Sequence, residues 1–157
     1  MNKPFRPIAP MHQPQPAYDD DMYGWATTQA ALLRERRVES IDWDNIVEEI
    51  EGLARHERSS ARSHLRQLMA HILKWDHQPG RRTRSWALSI ANQRIEYGDV
   101  ISENPSLVPQ ADELRRSAYP QACKLAAVQT GLHVRTFPDT PPSWETLFER
   151  PFDFPEP

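Results

Sequence analysis

No proline lies between Pro16 and Pro79, and that interval carries one long amphipathic pattern. From Trp43 onward, Ile46, Val47, Ile50, Leu53, Ala54, Ala61, Leu65, Leu68, Ile72 and Trp75 fall within one face at about 100° per residue. The pattern predicts a helix of about 35 residues and roughly 50 Å, or two collinear helices that break near Gly52 or Ser59-Ser60. Ser40 or Asp42 is placed to cap it, and Asp44, Glu48 and Glu49 favour its first turns. Such a spine requires other helices to cover its apolar face.

Those helices are legible on either side. Before the spine, Asp19-Asp20-Asp21 suits a helix N-terminus, and Met22, Trp25, Ala26, Gln29, Leu32 and Leu33 share a face that ends in Arg34-Glu35-Arg36-Arg37. After Pro79-Gly80, a helix of about Ser85 to Asn104 carries the seam Trp86, Ile90, Tyr97 and Ile101. A further helix, from about Pro109 to Thr130, buries Ala111, Leu114, Ala118, Ala122, Leu125 and Val128, and stops at Gly131, a natural left-handed cap. Pro120 inside it predicts a kink or short interruption. Ser143 to Phe148 reads as a short helix. Alternating strand patterns and internal repeats are lacking. The expected fold is all-α: a bundle of about four main helices with one long central helix and a proline-rich C-terminal segment docked on it.

The fifteen prolines divide the chain. Five lie in residues 1–16, which read as an extended or disordered arm, and four in residues 17–137, the helical bundle domain. The remaining six fall in residues 138–157, where Trp144, Leu147, Phe148, Phe152 and Phe154 predict a segment that packs on the bundle. No run reaches the roughly 18 apolar residues of a membrane span, and the N-terminus lacks the apolar stretch of a secretory signal. A cytoplasmic protein with no membrane association is expected. Cys123, the one cysteine, excludes an internal disulfide framework.

The net charge of −3 hides a dipole. Residues 17–51 hold three basic and ten acidic side chains, a net −7; residues 52–84 hold eight basic and two acidic, a net +6. The eight are Arg55, Arg58, Arg62, Arg66, Lys74, Arg81, Arg82 and Arg84. The first four form a stripe at helical spacing, opposite the apolar face. They either neutralise the acidic block or contact an anion, such as nucleic-acid phosphates or a phosphate ligand. Against nucleic acid stand the acidic total and the absence of a helix-turn-helix or RNA-binding signature.

Six histidines raise metal and acid/base chemistry. Glu57, His64 and His71 are seven apart and line one polar helix edge. A carboxylate-bundle metal centre would repeat Glu-x-x-His on facing helices, and a zinc hydrolase helix would carry His-Glu-x-x-His; neither occurs. A serine nucleophile elbow and a phosphate-cradling glycine loop are likewise missing. No residue is assigned a catalytic, metal-binding or cofactor-binding role, and no cofactor is expected.

Several short motifs follow one another along the chain: Tyr18-Asp19 with Tyr23 and Trp25, Asp42-Trp43, Glu48-Glu49-Ile50-Glu51, Lys74-Trp75, Gln78-Pro79, Arg84-Ser85-Trp86, Asn104-Pro105-Ser106-Leu107, Thr130-Gly131-Leu132 and Phe137-Pro138. In these the chain resembles the bacterial domain-of-unknown-function family 29, over about residues 17–155. The resemblance implies a small all-helical bacterial protein and brings no activity, substrate or catalytic residue. Its residues gather at helix ends, where Trp75, Pro79 and Trp86 form a structural cornerstone by stacking, with Arg84 held by Glu48 or Glu49. The other reading of that corner is a basic-aromatic pocket for an anion. The expected function is a non-enzymatic helical interaction module whose partner is a protein or a second copy of itself. Nucleic-acid or phosphate-ligand binding, and an enzyme or metal protein using Glu57, His64 and His71, are the alternatives.

Overall fold

A computed structural model describes residues 16–153. Among these residues there are five α-helices and no strand: α1 (Met22–Arg34), α2 (Trp43–His77), α3 (Arg84–Glu103), α4 (Ala111–Thr130) and α5 (Trp144–Phe148). The first arm, apart from Pro16, lies outside them, as does Phe154. None of the helices is long and apolar enough to cross a membrane. The fold divides into two compact units, one ending at Gly52 and the other beginning at Leu53. Both sides of the boundary expected at 137/138 therefore fall in the second unit.

In the first unit Asp21 caps α1, its Oδ1 accepting from the Gly24 N–H at 2.9 Å. A Cβ at Gly24 would lie 2.3 Å from Asp21 Oδ2, so only glycine lets the capping carboxylate come this close. Trp25, Gln29, Leu32 and Ile41 are buried. Tyr18 packs edge-on against Trp25, with ring centroids 4.9 Å apart. Met22 and Leu33, expected on the buried face, are nearly half exposed, which narrows that face.

Asp42 settles where α2 begins. Its carboxylate accepts from the Asn45 backbone N–H, at 3.4 Å, and side-chain amide, at 2.7 Å, and from Trp25 Nε1 at 3.0 Å. The Asp42 N–H donates to the buried Gln29 side chain at 2.9 Å. Trp25 and Gln29, one turn apart on α1, thus fix the residue that starts α2.

α2 is a single helix of 35 residues, uninterrupted at Gly52 and at Ser59-Ser60. Its apolar face is not buried throughout. Trp43, Val47, Ile50 and Leu53 are 52%, 50%, 61% and 69% exposed, and full burial begins only at Ala61. Periodicity shows which residues share a face; it does not supply the partner that covers them.

In the second unit Ala61, Leu65, Leu68, Ile72 and Trp75 form the buried row of α2. Met69, Ala70, Leu73 and Lys74 are buried as well, so between Leu68 and Trp75 α2 is covered on most sides, with His71 half-buried, before Asp76 emerges exposed. α3, capped by Thr83, contributes Ile90 and Tyr97, with Trp86 and Ile101 packed at the margin. α4 contributes Leu114, Ala118, Ala122 and Ala126, a four-residue repeat whose small side chains admit close packing. Tyr119 and Cys123 are buried beside it.

Of the kink or short interruption expected in α4 at Pro120, the interruption is excluded, and one residue expected in its core needs correction. Pro120 does not interrupt it: the helix runs through an exposed Pro120. Val128 is 84% exposed rather than core. The C-terminal stop is as expected, with Gly131 at φ 74° and its N–H bonded to the Ala127 carbonyl at 2.9 Å. Beyond it Phe137, Leu147 and Phe152 join the core, and Ser143 caps α5.

Candidate functional site

The arginine stripe does not act as one surface. Arg58 is bound on its own unit, where Nη2 donates to both Glu113 carboxylate oxygens at 2.8 and 2.7 Å and Nε to Gln110 Oε1 at 3.1 Å. Arg55 and Arg58 border a groove of about 480 Å³ that also takes in Leu53, Glu57, Asn104 and Leu107. One and two turns further along, Arg62 and Arg66 turn to a separate cavity of about 380 Å³ beside α4. Arg66 Nη2 donates to Ser63 Oγ at 3.0 Å, and its Nε is buried without a hydrogen-bond partner. Among the described residues neither Arg62 nor Arg66 makes an ion pair. These two arginines therefore lie beside the α2–α4 seam rather than opposite the packed face.

The second basic group surrounds the α2–α3 corner, and packing has taken its central members. Lys74 is 7% exposed; its Nζ donates to Gln129 Oε1 at 2.9 Å and lies 4.6 Å from the Trp86 ring centroid. Burial lowers its pKa, because the charged form loses water. Arg82 Nε donates to the Trp75 carbonyl at 2.9 Å, and its guanidinium sits 5.0 Å from the Trp75 ring. That carbonyl is among the last four of α2, so Arg82 serves as a side-chain cap. Gln78 Nε2 donates to the Thr130 carbonyl at the end of α4, at 3.2 Å.

Trp75 and Trp86 take different partners: Trp75 meets Phe152 edge-on at 5.8 Å, and Trp86 takes the Lys74 ammonium. Pro79 is exposed and opens a single 3-10 turn, Pro79–Arg81. The corner is therefore joined by hydrogen bonds and cation–ring contacts rather than by a stack of Trp75, Pro79 and Trp86. Arg81 and Arg84 are exposed. Arg84 forms no ion pair among the described residues, and Glu49, one of the two acids expected to hold it, accepts the Tyr18 hydroxyl. That bond, with burial and nearby acids adding to it, pushes the Tyr18 pKa up to about 12.

Along the third line of candidates, each side chain has its own surroundings. Glu57 Oε2 accepts from Asn104 Nδ2 at 3.2 Å, and His64 Nδ1 is 2.9 Å from Gln93 Oε1. His71 is half-buried, its Nδ1 without a partner. Desolvation, with Lys74 adding to it, pushes its pKa down to about 4. Among the described residues, no group of three or more histidine, cysteine, aspartate or glutamate side chains gathers at metal-binding range. Cys123 is a buried thiol whose pKa is raised by burial, which disfavours the reactive thiolate.

Two arginines that sequence reasoning missed secure the C-terminal segment. Arg94 Nε donates to the Leu147 carbonyl at 2.6 Å, and its Nη2 to the carbonyls of Arg150 at 2.7 Å and Thr146 at 3.4 Å. Arg115 Nη1 donates to the Pro142 carbonyl at 2.6 Å, while Asp112 accepts from Trp144 Nε1 at 2.8 Å. Register was the available signal for Arg94. It lies between Ile90 and Tyr97 at the spacing of the buried seam, where a cation needs acceptors.

The described residues thus define a small all-helical protein whose motif residues serve mainly at helix starts, helix ends and the corner between α2 and α3. The family described as Domain of unknown function DUF29 matches residues 17–152, and the chain belongs to it. No curated protein and no solved structure matches the chain.

Proposed function

We propose that this protein is a non-enzymatic helical interaction module that self-associates through the first turns of α2. The observation that carries the reading is the exposed row Trp43, Val47 and Ile50, at i, i+4 and i+7 on one helix face, each at least half accessible. Apolar side chains in a row of this kind gain about 1.5–3 kcal/mol each on full burial, so a covering surface is favoured.

A second copy is the occupant argued for. Antiparallel pairing of two α2 helices brings each row against its own counterpart, the self-complementary arrangement of a two-fold dimer. In that register Asp44, Glu48, Glu49 and Glu51 of one copy lie alongside the same acids of the other, so apolar burial works against a charge repulsion that salt screens.

Sedimentation at increasing protein concentration, in low and in high salt, tests this. A dimer whose affinity rises with salt is expected, and Ile50→Asp is expected to leave a monomer of unchanged helical content. A monomer throughout the concentration range at high salt, or a dimer indifferent to Ile50→Asp, would overturn the reading.

A further inference from the structure

We infer that the cavity between α2 and α4 binds the phosphoryl group of a small phosphorylated molecule. Its polar lining consists of Ser59, Arg62, Ser63, Arg66, Ser117 and Gln121, with Ala118 as the one apolar contributor and no carboxylate. Two guanidiniums, the hydroxyls of Ser59 and Ser63 and a side-chain amide offer N–H or O–H donors, while the Ser117 hydroxyl donates to the Leu114 carbonyl at 3.1 Å. Each is a kind of donor that a tetrahedral oxyanion accepts from.

The arginines are also left without a counter-charge. Arg58, one turn before Arg62, is held bidentately by Glu113, which shows how this helix satisfies an arginine when it neutralises one. Arg62 and Arg66 make no ion pair among the described residues. More pointedly, Arg66 Nε is buried with no acceptor, although its Nη2 is engaged by Ser63. A buried charged donor without an acceptor costs more than an ordinary lost hydrogen bond, and an anion in the cavity relieves it.

Shape and surroundings favour a small ligand over a nucleic-acid strand. A volume of about 380 Å³ is at the small end of ligand pockets, room for a whole small phosphorylated molecule but not for a strand. No aromatic side chain lines the cavity, so there is no platform for a base to stack on. Arg66 and Gln121 also border an adjoining cavity of about 360 Å³, where Lys124 adds a third cation and Leu125 and Val128 offer apolar surface to the organic part. Ala118, at this point of α4, leaves the space between the helices that a larger side chain would fill.

The test is calorimetric titration of the full chain with inorganic phosphate and with glycerol 3-phosphate at constant ionic strength, chloride serving as the reference anion. Both phosphates are expected to bind saturably where chloride does not. Arg66→Gln should weaken binding by about tenfold or more, the loss of charge-assisted hydrogen bonds. Arg58→Gln, outside the cavity, should leave it unchanged. Where Arg66→Gln fails to fold, Ser117→Asp introduces a carboxylate from an exposed position and is expected to abolish binding. Heats equal to those of chloride, or binding that survives Ser117→Asp, would overturn the assignment. So would tighter binding of an oligoribonucleotide without terminal phosphates than of glycerol 3-phosphate.

Discussion

The Lys74 ammonium lies 4.6 Å from the centroid of the Trp86 ring, buried and with the Gln129 amide oxygen as its hydrogen-bond acceptor. A cation over an indole face gains about 0.5–2 kcal/mol, less than the several kcal/mol that desolvating an ion costs. The contact thus fixes the α2–α3 corner more than it stabilises the fold. Lys74→Met keeps the length of the stem and removes the charge. It is expected to unfold in urea within about 1 kcal/mol of the parent or to be more stable. A loss above about 3 kcal/mol would show that the ammonium itself holds the corner.

Beside Lys74, one turn earlier on α2, His71 is held neutral with its pKa down to about 4 from 6.5. Between those two values the unfolded chain binds a proton that the folded chain refuses, so stability falls as pH drops from 6.5 towards 4. The full shift corresponds to roughly 3 kcal/mol, and the partial exposure of the ring reduces this to on the order of 1–2 kcal/mol. His71→Leu should lose that much less stability than the parent between neutral pH and pH 4.5, measured by urea unfolding at each pH. Parallel curves for the two proteins would contradict the assignment. Because Lys74 contributes to the depression, Lys74→Met should narrow the window from its lower side.

Comparison of α2 with α4 shows what was legible in the sequence and what was not. The length of α2, its Asp42 cap and the Gly131 stop of α4 each depend on a residue and its immediate neighbours; the stop was legible outright, and the length and the cap each as one of two alternatives. Burial depends on another segment arriving. Ile50 and Leu65 belong to the same periodic face, yet only Leu65 meets neighbours that bury it. The candidate site divided in the same way. Helical spacing placed Arg58, Arg62 and Arg66 in one stripe, while the difference between them is set by Glu113 and Gln110 on one side and by Ser117 and Gln121 on the other. Those partners lie some fifty positions away in the chain, and no local pattern announces them. Arg94 was missed for a different reason, since its acceptors are backbone carbonyls, which every residue possesses.

Two glycines with open space around them should respond in opposite directions. Gly131 has φ 74°, where a Cβ is strained, and Gly131→Ala is expected to cost about 1 kcal/mol although nothing lies within 4 Å of the added carbon. Gly98 is in the interior of α3 with nothing within 4 Å, and Gly98→Ala should stabilise by about 0.5–1 kcal/mol through reduced backbone freedom in the unfolded chain. Thermal unfolding of both variants checks the pair. A gain at Gly131 or a loss at Gly98 would contradict the backbone argument.

Arg94 ties α3 to the segment that follows α4, and the chemistry of the guanidinium decides what can replace it. One planar group reaches the carbonyls of Thr146, Leu147 and Arg150, which the five-residue α5 leaves largely without partners of its own, and it also lies 5.1 Å from the Phe152 ring. A lysine ammonium carries the same charge but is a single point with three diverging donors, so it cannot span carbonyls on both sides of a helix end. Arg94→Lys is therefore expected to destabilise nearly as much as Arg94→Met, each by about 2–3 kcal/mol, because both leave acceptors unsatisfied in a partly buried setting. Limited proteolysis should then cut first between residues 138 and 153 while α2 to α4 stay protected. If Arg94→Lys matched the parent in stability and protease resistance, charge alone would be holding the segment. In that case Arg150, paired with Asp76 at 2.7 Å, would be the residue that docks it.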